Sequence, residues 1–253
     1  MASRIRPDVL RARRFPVVEQ RLSDRDCMLY ALSIGLGRDP LDPRALRYVY
    51  ERDLAVFPTM ALVLGHPGNW MDDPAAGITR SMIVHGTQRL AMHRPLRPDL
   101  AIHGHNRVLD VFDKGADKGA VLVTERRLLD GASGELLALM ESEIFCRADG
   151  GFGGSPGPGH AFRTVPERPA DEQVEMPTAL DAALLYRLNG DRNPLHADPE
   201  AARVAGFERP ILHGLCTFGI AAVAVQMSPG SAGRTLRSIE ARFSRPVLPG
   251  ETL

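Results

Sequence analysis

The chain has 253 residues, 44% hydrophobic and 25% charged, so it is long enough to bury one large core or two smaller ones. Its 31 basic and 31 acidic residues cancel, which gives no electrostatic support for a nucleic-acid or anionic-membrane partner. No apolar run approaches the roughly 18 residues of a membrane span. The three cysteines have neither metal-site nor disulfide spacing, and a reducing compartment is expected.

The first half of the chain predicts a helix followed by an antiparallel sheet. Asp24 or Asp26 is suited to cap a helix that ends at Gly35 or Gly37. Two short apolar stretches, Leu46–Val49 and Ala61–Leu64, resemble strands or buried segments. Four longer runs rich in Val, Ile and Leu follow, separated by short turns: Ile83–His93, Ile102–Phe112, Ala120–Leu129 and Glu135–Cys146. Helix first and sheet afterwards indicates the α+β class.

The second half begins after Arg147–Pro169, a stretch rich in glycine and proline that predicts an exposed linker. Ala179–Leu188 has apolar residues at helical spacing. Asp198, followed by Pro199 and Glu200, is typical of a helix start. Pro210–Met227 predicts a long helix that is buried nearly all round, and Leu236–Phe243 predicts a strand.

Two passages recur in the same order, which indicates a duplicated unit. Tyr30–Asp42 is similar to Tyr186–His196, and His93–Pro98 is similar to Ser244–Pro249. The expected organisation is an N-terminal unit over 1–146, a linker over 147–169 and a C-terminal unit over 170–253.

The copies differ where chemistry is expected. Asp191 and His196 stand in the second copy where the first has Gly37 and Asp42. A carboxylate and an imidazole on one loop, kept out of a regular helix by a proline, can share a water for general acid–base catalysis. Asn193, between them, can orient either group.

Gly214 stands near the start of the long apolar helix. Free N–H groups at a helix start favour developing negative charge, and a glycine there suggests close approach of another group to the backbone. Two simpler interpretations stay open. Asp-x-Asn-Pro is also a common turn sequence. His213 is more typical of a capping or core residue than of a catalyst, and we expect a structural role for it.

The pattern Tyr-x-Leu-x-Gly-Asp-x-Asn-Pro-Leu-His over Tyr186–His196, followed by His213-Gly214 at a helix start, resembles a known motif. It is similar to the hydratase 2 motif of the MaoC-like (R)-specific enoyl-CoA hydratases. The two-copy arrangement resembles the hydratase 2 part of peroxisomal multifunctional enzyme type 2. The resemblance implies a double hotdog fold, in which two helix-wrapped antiparallel sheet units pair and only the second is catalytic. Here the second unit is expected to lack its last strands, because the chain ends at Leu253.

The same resemblance implies roles for individual residues. The expected catalytic residues are Asp191 and His196 as the acid–base pair and the Gly214 amide as the oxyanion donor. The expected substrate-binding residues are His85, Gly86, Lys114, Asn193 and Phe243. No metal and no separate cofactor are implied, and coenzyme A enters as part of the substrate.

The implied activity is reversible hydration of trans-2-enoyl-CoA to (3R)-3-hydroxyacyl-CoA in fatty-acid or related acyl-CoA metabolism. A hotdog acyl-CoA thioesterase and a non-catalytic acyl-CoA binding protein are the alternatives. A homodimer is expected by analogy, without nucleic-acid or membrane partners. The expected compartment is the cytoplasm in a bacterium and the peroxisome in a eukaryote.

Overall fold

The computed structural model describes residues 5–158 and 167–253. Within these ranges the strands form one antiparallel sheet with the order β1-β3-β4-β5-β2-β6. The strands are β1 (Val18–Arg21), β2 (Ile83–Met92), β3 (Ala101–Asp113), β4 (Ala120–Asp130), β5 (Leu136–Cys146) and β6 (Ser238–Arg242). The helices are α1 (Pro7–Ala12), α2 (Asp24–Ser33), α3 (Pro43–Leu46), α4 (Ala182–Tyr186), α5 (Pro199–Val204) and α6 (Gly214–Met227).

Strands β2 to β5 confirm the four apolar runs and the α+β class. Consecutive strands β3, β4 and β5 are neighbours, as short turns require. Strand β2 lies beside β5, on the far side of this meander from β3. The free side of β2 is therefore open to β6 from the second half.

Helix α2 confirms the first predicted helix, but its capping residue is Ser23, not Asp24 or Asp26. The Ser23 side chain accepts a hydrogen bond of 3.0 Å from the Asp26 N–H. The Ser23 hydroxyl, one position before Asp24, thus accepts the hydrogen bond from the first turn that was expected to go to an aspartate carboxylate.

The two halves are joined where their sequences correspond. Tyr30 of α2 and Tyr186 of α4 are both buried, and their ring centroids are 6.2 Å apart. Asn189 donates a hydrogen bond of 3.0 Å from Nδ2 to the Ser33 hydroxyl. The main hydrophobic core surrounds these tyrosines and takes side chains from both halves, including Phe218 of α6.

Neither Leu46–Val49 nor Ala61–Leu64, expected to be strands or buried segments, is a strand. The first overlaps the end of α3, and the second lies largely in a buried 3-10 helix, Pro58–Val63. Both helices have proline at their first turn, which fixes the backbone torsion that a helix start needs. The buried alternative is confirmed for Ala61–Leu64, whereas Leu46–Val49 is half-buried or exposed.

The second half contributes one strand, β6, to the described sheet. Its long helix begins at Gly214 and not at Pro210, and one side of it is open, since Val225 is 53% exposed. The capping interpretation of Asp198 is confirmed by a hydrogen bond of 2.9 Å from Glu200 N–H. In the described ranges no helix combines the length and hydropathy that crossing a bilayer would need.

The beginning of the predicted linker is packed against the sheet. Asp113, at the end of β3, accepts hydrogen bonds of 2.7 Å from the N–H groups of Gly151 and Gly153, which helps to lower its pKa to about 2. Asp149 is 3% exposed. The remainder of the predicted linker includes residues 159–166, which lie outside the described residues. The division of the chain into two units at this stretch stays a prediction.

Candidate active site

The loop that holds Asp191 and His196 is shaped by its own turn residues. Gly190 has φ 120°, a left-handed conformation that glycine adopts without strain, and it ends the 3-10 helix Arg187–Asn189. Asn193, with φ -53° and ψ 124°, stands outside the helical region and caps the 3-10 helix Pro194–His196 by accepting a hydrogen bond of 3.1 Å from the Leu195 N–H. The loop therefore turns back and directs its histidine towards the start of α6.

The protonation of His196 follows from its hydrogen bond. Its Nδ1 lies 2.8 Å from the Ile211 carbonyl oxygen, which can only accept, so Nδ1 carries the proton. The lone pair of Nε2 is then available as a base. His196 is 8% exposed, and burial lowers its pKa below the ordinary value of 6.5. The imidazole is therefore neutral at pH 7.

His213 belongs to the same cluster. Its ring stacks on that of His196, with centroids 3.7 Å apart and planes inclined by 26°. Its Nε2 donates 3.1 Å to the backbone oxygen of Asp191. Burial, reinforced by the neighbouring imidazole, lowers its pKa to about 4. His213 is 1% exposed and is the N-cap residue of α6, as the structural interpretation expected, but it also supports both Asp191 and His196.

Asp191 completes the cluster. One side-chain ligand atom each of Asp191, His196 and His213 lies within 4.8 Å of the others. The carboxylate is reached by solvent through a cavity although protein groups surround it. Burial alone would raise its pKa, but His213, His196, the Asn193 N–H and Arg80 outweigh burial and lower it. Asp191 is therefore ionised at pH 7, and its carboxylate lies within 4.8 Å of a neutral imidazole.

Backbone donors stand beside this pair. The N–H groups of Gly214 and Leu215 have no carbonyl partner among the described residues, because they open the first turn of α6. The helix runs for 14 residues, so its dipole adds positive potential at this end. The arrangement suits an oxygen that gains negative charge during a reaction.

A cavity of about 690 Å³ opens over these groups and is lined by residues from both halves of the chain. Its volume lies within the range of about 300–1,000 Å³ typical of small-molecule sites. The wall beside Gly214 is the Phe243 ring, which would lie 3.5 Å from a Cβ at Gly214. Phe243 also contacts His85, with ring centroids 5.0 Å apart.

Gly86 places these wall residues. The pairing of β2 with β5 shifts register between His85 and Thr87, which leaves Gly86 in a bulge. Its carbonyl accepts 2.9 Å from the Phe243 N–H and so anchors the end of β6. Burial lowers the pKa of His85 to about 4, so this imidazole is also neutral at pH 7.

The structure brings seven of the eight predicted site residues to one place: six line the cavity and Gly86 anchors its wall. The six are His85, Asp191, Asn193, His196, Gly214 and Phe243. Lys114 lies elsewhere, after the end of β3. Its ammonium donates to the Pro156 carbonyl and lies 5.7 Å from the centroid of the Phe112 ring. A ligand contact for Lys114 stays a prediction.

Sequence reasoning did not identify Arg126 as a site residue. It lies in the middle strand of the β3-β4-β5 meander and lines the cavity. Arg126 stands in the polar run Thr124–Arg127 of β4, and nothing in that run distinguishes the side chain that faces the cavity.

The cluster of one carboxylate and two imidazoles has the composition of a metal site, but its geometry fits a water better. A tetrahedral zinc ion needs imidazole lone pairs that converge in the ring planes. The rings of His196 and His213 are stacked 3.7 Å apart, so their in-plane lone pairs lie in nearly parallel planes and do not converge on one point. Asp191 and His196 alone can converge on a water by two hydrogen bonds of ordinary length.

Each half of the chain matches a known protein family. The "MFE-2 hydratase 2 N-terminal domain" matches residues 21–148, and the "MaoC like domain" matches residues 161–253. The chain is 40% identical over 233 residues to 3-hydroxyacyl-thioester dehydratase Y of Mycobacterium tuberculosis, covering 91% of this chain and 80% of that protein. The chain belongs to the hydratase 2 family of MaoC-like proteins.

Other members and solved structures agree with this placement. The peroxisomal enoyl-CoA hydratase 2 of Arabidopsis thaliana is 38% identical over 269 residues, which covers 99% of this chain and 86% of that protein. The crystal structure of a MaoC-like dehydratase from Phytophthora capsici matches with a TM-score of 0.80 at 33% identity, covering 97% of this chain and 86% of that one.

The fold of the hydratase 2 chain is the expected double hotdog. A Mycobacterium tuberculosis protein described as a double hotdog matches with a TM-score of 0.59 at 14% identity, over 95% of this chain and 82% of that one, and supports the fold alone.

Proposed function

We propose that this hydratase 2 chain adds water reversibly to trans-2-enoyl-CoA and gives (3R)-3-hydroxyacyl-CoA. As a member of its family, the chain is a hydro-lyase. The names of its relatives, enoyl-CoA hydratase 2 and 3-hydroxyacyl-thioester dehydratase, describe the two directions of such a reaction. One observation carries the proposal: a carboxylate and a neutral imidazole lie within 4.8 Å of each other, beside unpaired N–H groups at a helix start.

Asp191 and His196 hold the reacting water. Both groups are acceptors at pH 7, so one water donates one proton to each and its oxygen lone pair faces the substrate. His196 is the better base, since the pKa of Asp191 is lowered from a value that is already acidic. Asp191 then stabilises the imidazolium that forms.

The reaction proceeds in two balanced steps. The water oxygen bonds to C3, its proton passes to Nε2 of His196, and the C2–C3 π electrons move towards the thioester oxygen. The enolate oxygen is stabilised by the N–H of Gly214. The proton then returns from His196 to C2 and the thioester carbonyl reforms. The coenzyme A thioester supplies the electron-withdrawing group, and the proposal uses no other cofactor.

The cavity walls position the acyl thioester. Phe243 and His85 form the wall beside Gly214: His85 lies in β2, and Phe243, directly after β6, donates its N–H to the Gly86 carbonyl. We assign to them the alignment of the planar enoyl group against the helix start. Asn193 contributes mainly by fixing the loop of Asp191, since its carboxamide oxygen is used as a cap.

A single assay separates this function from its alternatives. The protein is incubated with a trans-2-enoyl-CoA, and the conjugated-thioester absorbance and free thiol are followed together. Loss of absorbance without thiol supports hydration. Release of thiol indicates a thioesterase, and no change in either signal indicates a binding protein; both outcomes contradict the proposal.

We also expect a homodimer, because hotdog units pair through their sheets. Light scattering of the purified chain tests this, and a monomer mass across the working concentration range contradicts it.

A further inference from the structure

We propose that Arg126 forms a binding site for a carboxylate carried by the acyl chain, so that this enzyme favours substrates whose acyl group ends in an acid. The inference rests on the proposed function for the identity of the thioester. It goes beyond that function by naming a substrate class and the residue that selects it.

Arg126 is held rigidly in the wall of the cavity. Its cross-strand neighbours are Asn106 on β3 and Met140 on β5, and all three residues line the cavity. Nε donates 3.1 Å to the Asn106 side-chain oxygen. Nη1 donates 2.9 Å to each of the carbonyl oxygens of Leu62 and Leu64. The guanidinium is therefore fixed before any ligand arrives.

These contacts leave part of the guanidinium without a partner. Of its five N–H donors, the three on Nε and Nη1 are used, and the two on Nη2 have no acceptor among the described residues. Nη2 is accessible to solvent through the cavity that Arg126 lines. Because Nε and Nη1 are engaged, Nη2 can donate one charge-assisted hydrogen bond to a carboxylate rather than a parallel pair.

The charge of Arg126 is also uncompensated. Two carboxylates line the described cavity, Asp191 and Glu125, and neither forms an ion pair with Arg126. Glu125 forms an ion pair with Arg107, whose Nε and Nη2 donate hydrogen bonds of 2.8 and 3.0 Å to its carboxylate oxygens. Asp191 belongs to the acid–base pair described above.

A cation enclosed in this way is costly. Apolar residues such as Leu62 and Met140 share the wall, and enclosure lowers the pKa of Arg126 to about 10 without removing its charge at pH 7. The three neutral acceptors hold the group but do not neutralise it. A purely structural role, tying Leu62 and Leu64 to the sheet, leaves both the charge and the Nη2 donors unexplained.

The test compares thioesters of equal length that end in a carboxylate or in a methyl group. Saturated acyl-CoA pairs are used for binding by calorimetry, because they bind without reacting, and matched trans-2-enoyl-CoA pairs are used for kcat/KM. Wild-type protein is expected to prefer the carboxylate-ended member by about 10- to 100-fold at the chain length that reaches Arg126. Absence of that preference at every chain length overturns the inference, whatever the variants do.

Two variants assign the preference to this residue. Arg126→Met removes the charge and is expected to abolish the preference, although it also frees the Leu62 and Leu64 carbonyls. Asn106→Asp keeps the guanidinium in place and supplies an internal carboxylate 3.1 Å from Nε, so it is also expected to abolish the preference. It loses the hydrogen bond of Asn106 Nδ2 to the Gly65 carbonyl, so folding is checked by circular dichroism.

The control is the double variant Arg107→Met with Glu125→Gln. It removes a cavity-lining arginine together with its paired carboxylate, so the carboxylate preference is expected to persist. A preference that survives in Asn106→Asp, or that disappears in the double variant, contradicts the assignment to Arg126. A failure of the proposed function gives a different result. In that case the methyl-ended trans-2-enoyl-CoA is not hydrated, although saturated acyl-CoA thioesters still bind.

Discussion

The two nitrogens of His196 have different tasks, and a pair of substitutions separates them. Nδ1 donates to the Ile211 carbonyl, and Nε2 is the proposed base. His196→Asn keeps an N–H donor at the position of Nδ1 and removes the base. His196→Gln places its amide near the position of Nε2 and leaves the Ile211 carbonyl, which has no other donor among the described residues, without a partner.

Activity and stability should therefore respond differently. Both variants are expected to lose about 100- to 10,000-fold in kcat, the usual contribution of a general base. His196→Gln is expected to unfold with a free energy about 1–3 kcal/mol below that of His196→Asn, the cost of one buried unsatisfied polar group. The stack on His213 is lost in both, so it cancels in this comparison.

The measurements are steady-state hydration of a trans-2-enoyl-CoA and urea unfolding of the two variants. Binding of a saturated acyl-CoA serves as the control for an intact cavity. A His196→Asn protein with near wild-type turnover would refute the role of Nε2. Equal unfolding free energies for the two variants would refute the tautomer.

Four other results are expected. Because burial lowers the pKa of His196 below 6.5 and the base must be neutral, the acidic limb of kcat/KM should be centred below pH 6.5; a limb centred at or above pH 6.5 contradicts this. Asp191→Asn should lower kcat by about 100- to 10,000-fold while acyl-CoA binding persists, and full turnover in this variant argues against the pair. Extended dialysis against a chelator should leave activity unchanged, whereas a loss restored by zinc would show that the cluster holds a metal. Gly219→Ala puts a Cβ 2.6 Å from Ile34 Cγ2 and should lower the free energy of unfolding in urea by about 1–3 kcal/mol. The control Gly214→Ala, whose Cβ would lie 3.5 Å from the Phe243 ring, should not be destabilised in this way. Equal stability of the two variants contradicts tight packing around Gly219.

The sequence predicts the strands well because burial leaves a local signal. Runs of Val, Ile and Leu with turn residues between them correspond to β2 through β5 within one or two residues. The order of the strands carries no such local signal, since the pairing of β2 with β5 depends on contacts between residues far apart in the chain. The same limit applies to Ala61–Leu64, whose apolar side chains are buried in a 3-10 helix.

The site residues likewise divide into those that a local sequence pattern predicts and those that depend on contacts between distant residues. Asp191, His196 and Gly214 were predicted because the chemistry needs those groups at that spacing on one short stretch. The part of His213 was underestimated because its importance lies in a stacking contact and in a bond to the Asp191 backbone, neither of which spacing encodes. Arg126 reaches the cavity only through sheet pairing that brings it beside Asn106.

The proposal that one group carries the proton out and back is tested most directly by the stereochemistry of hydration in deuterium oxide. If His196 takes the proton from the water that attacks C3 and returns it to C2, both new bonds form on one face of the enoyl group. The expected product is the (3R)-3-hydroxyacyl-CoA with oxygen at C3 and deuterium at C2 added to the same face, as resolved by NMR. A 3S product, or deuterium on the opposite face or on both faces of C2, would contradict the proposal.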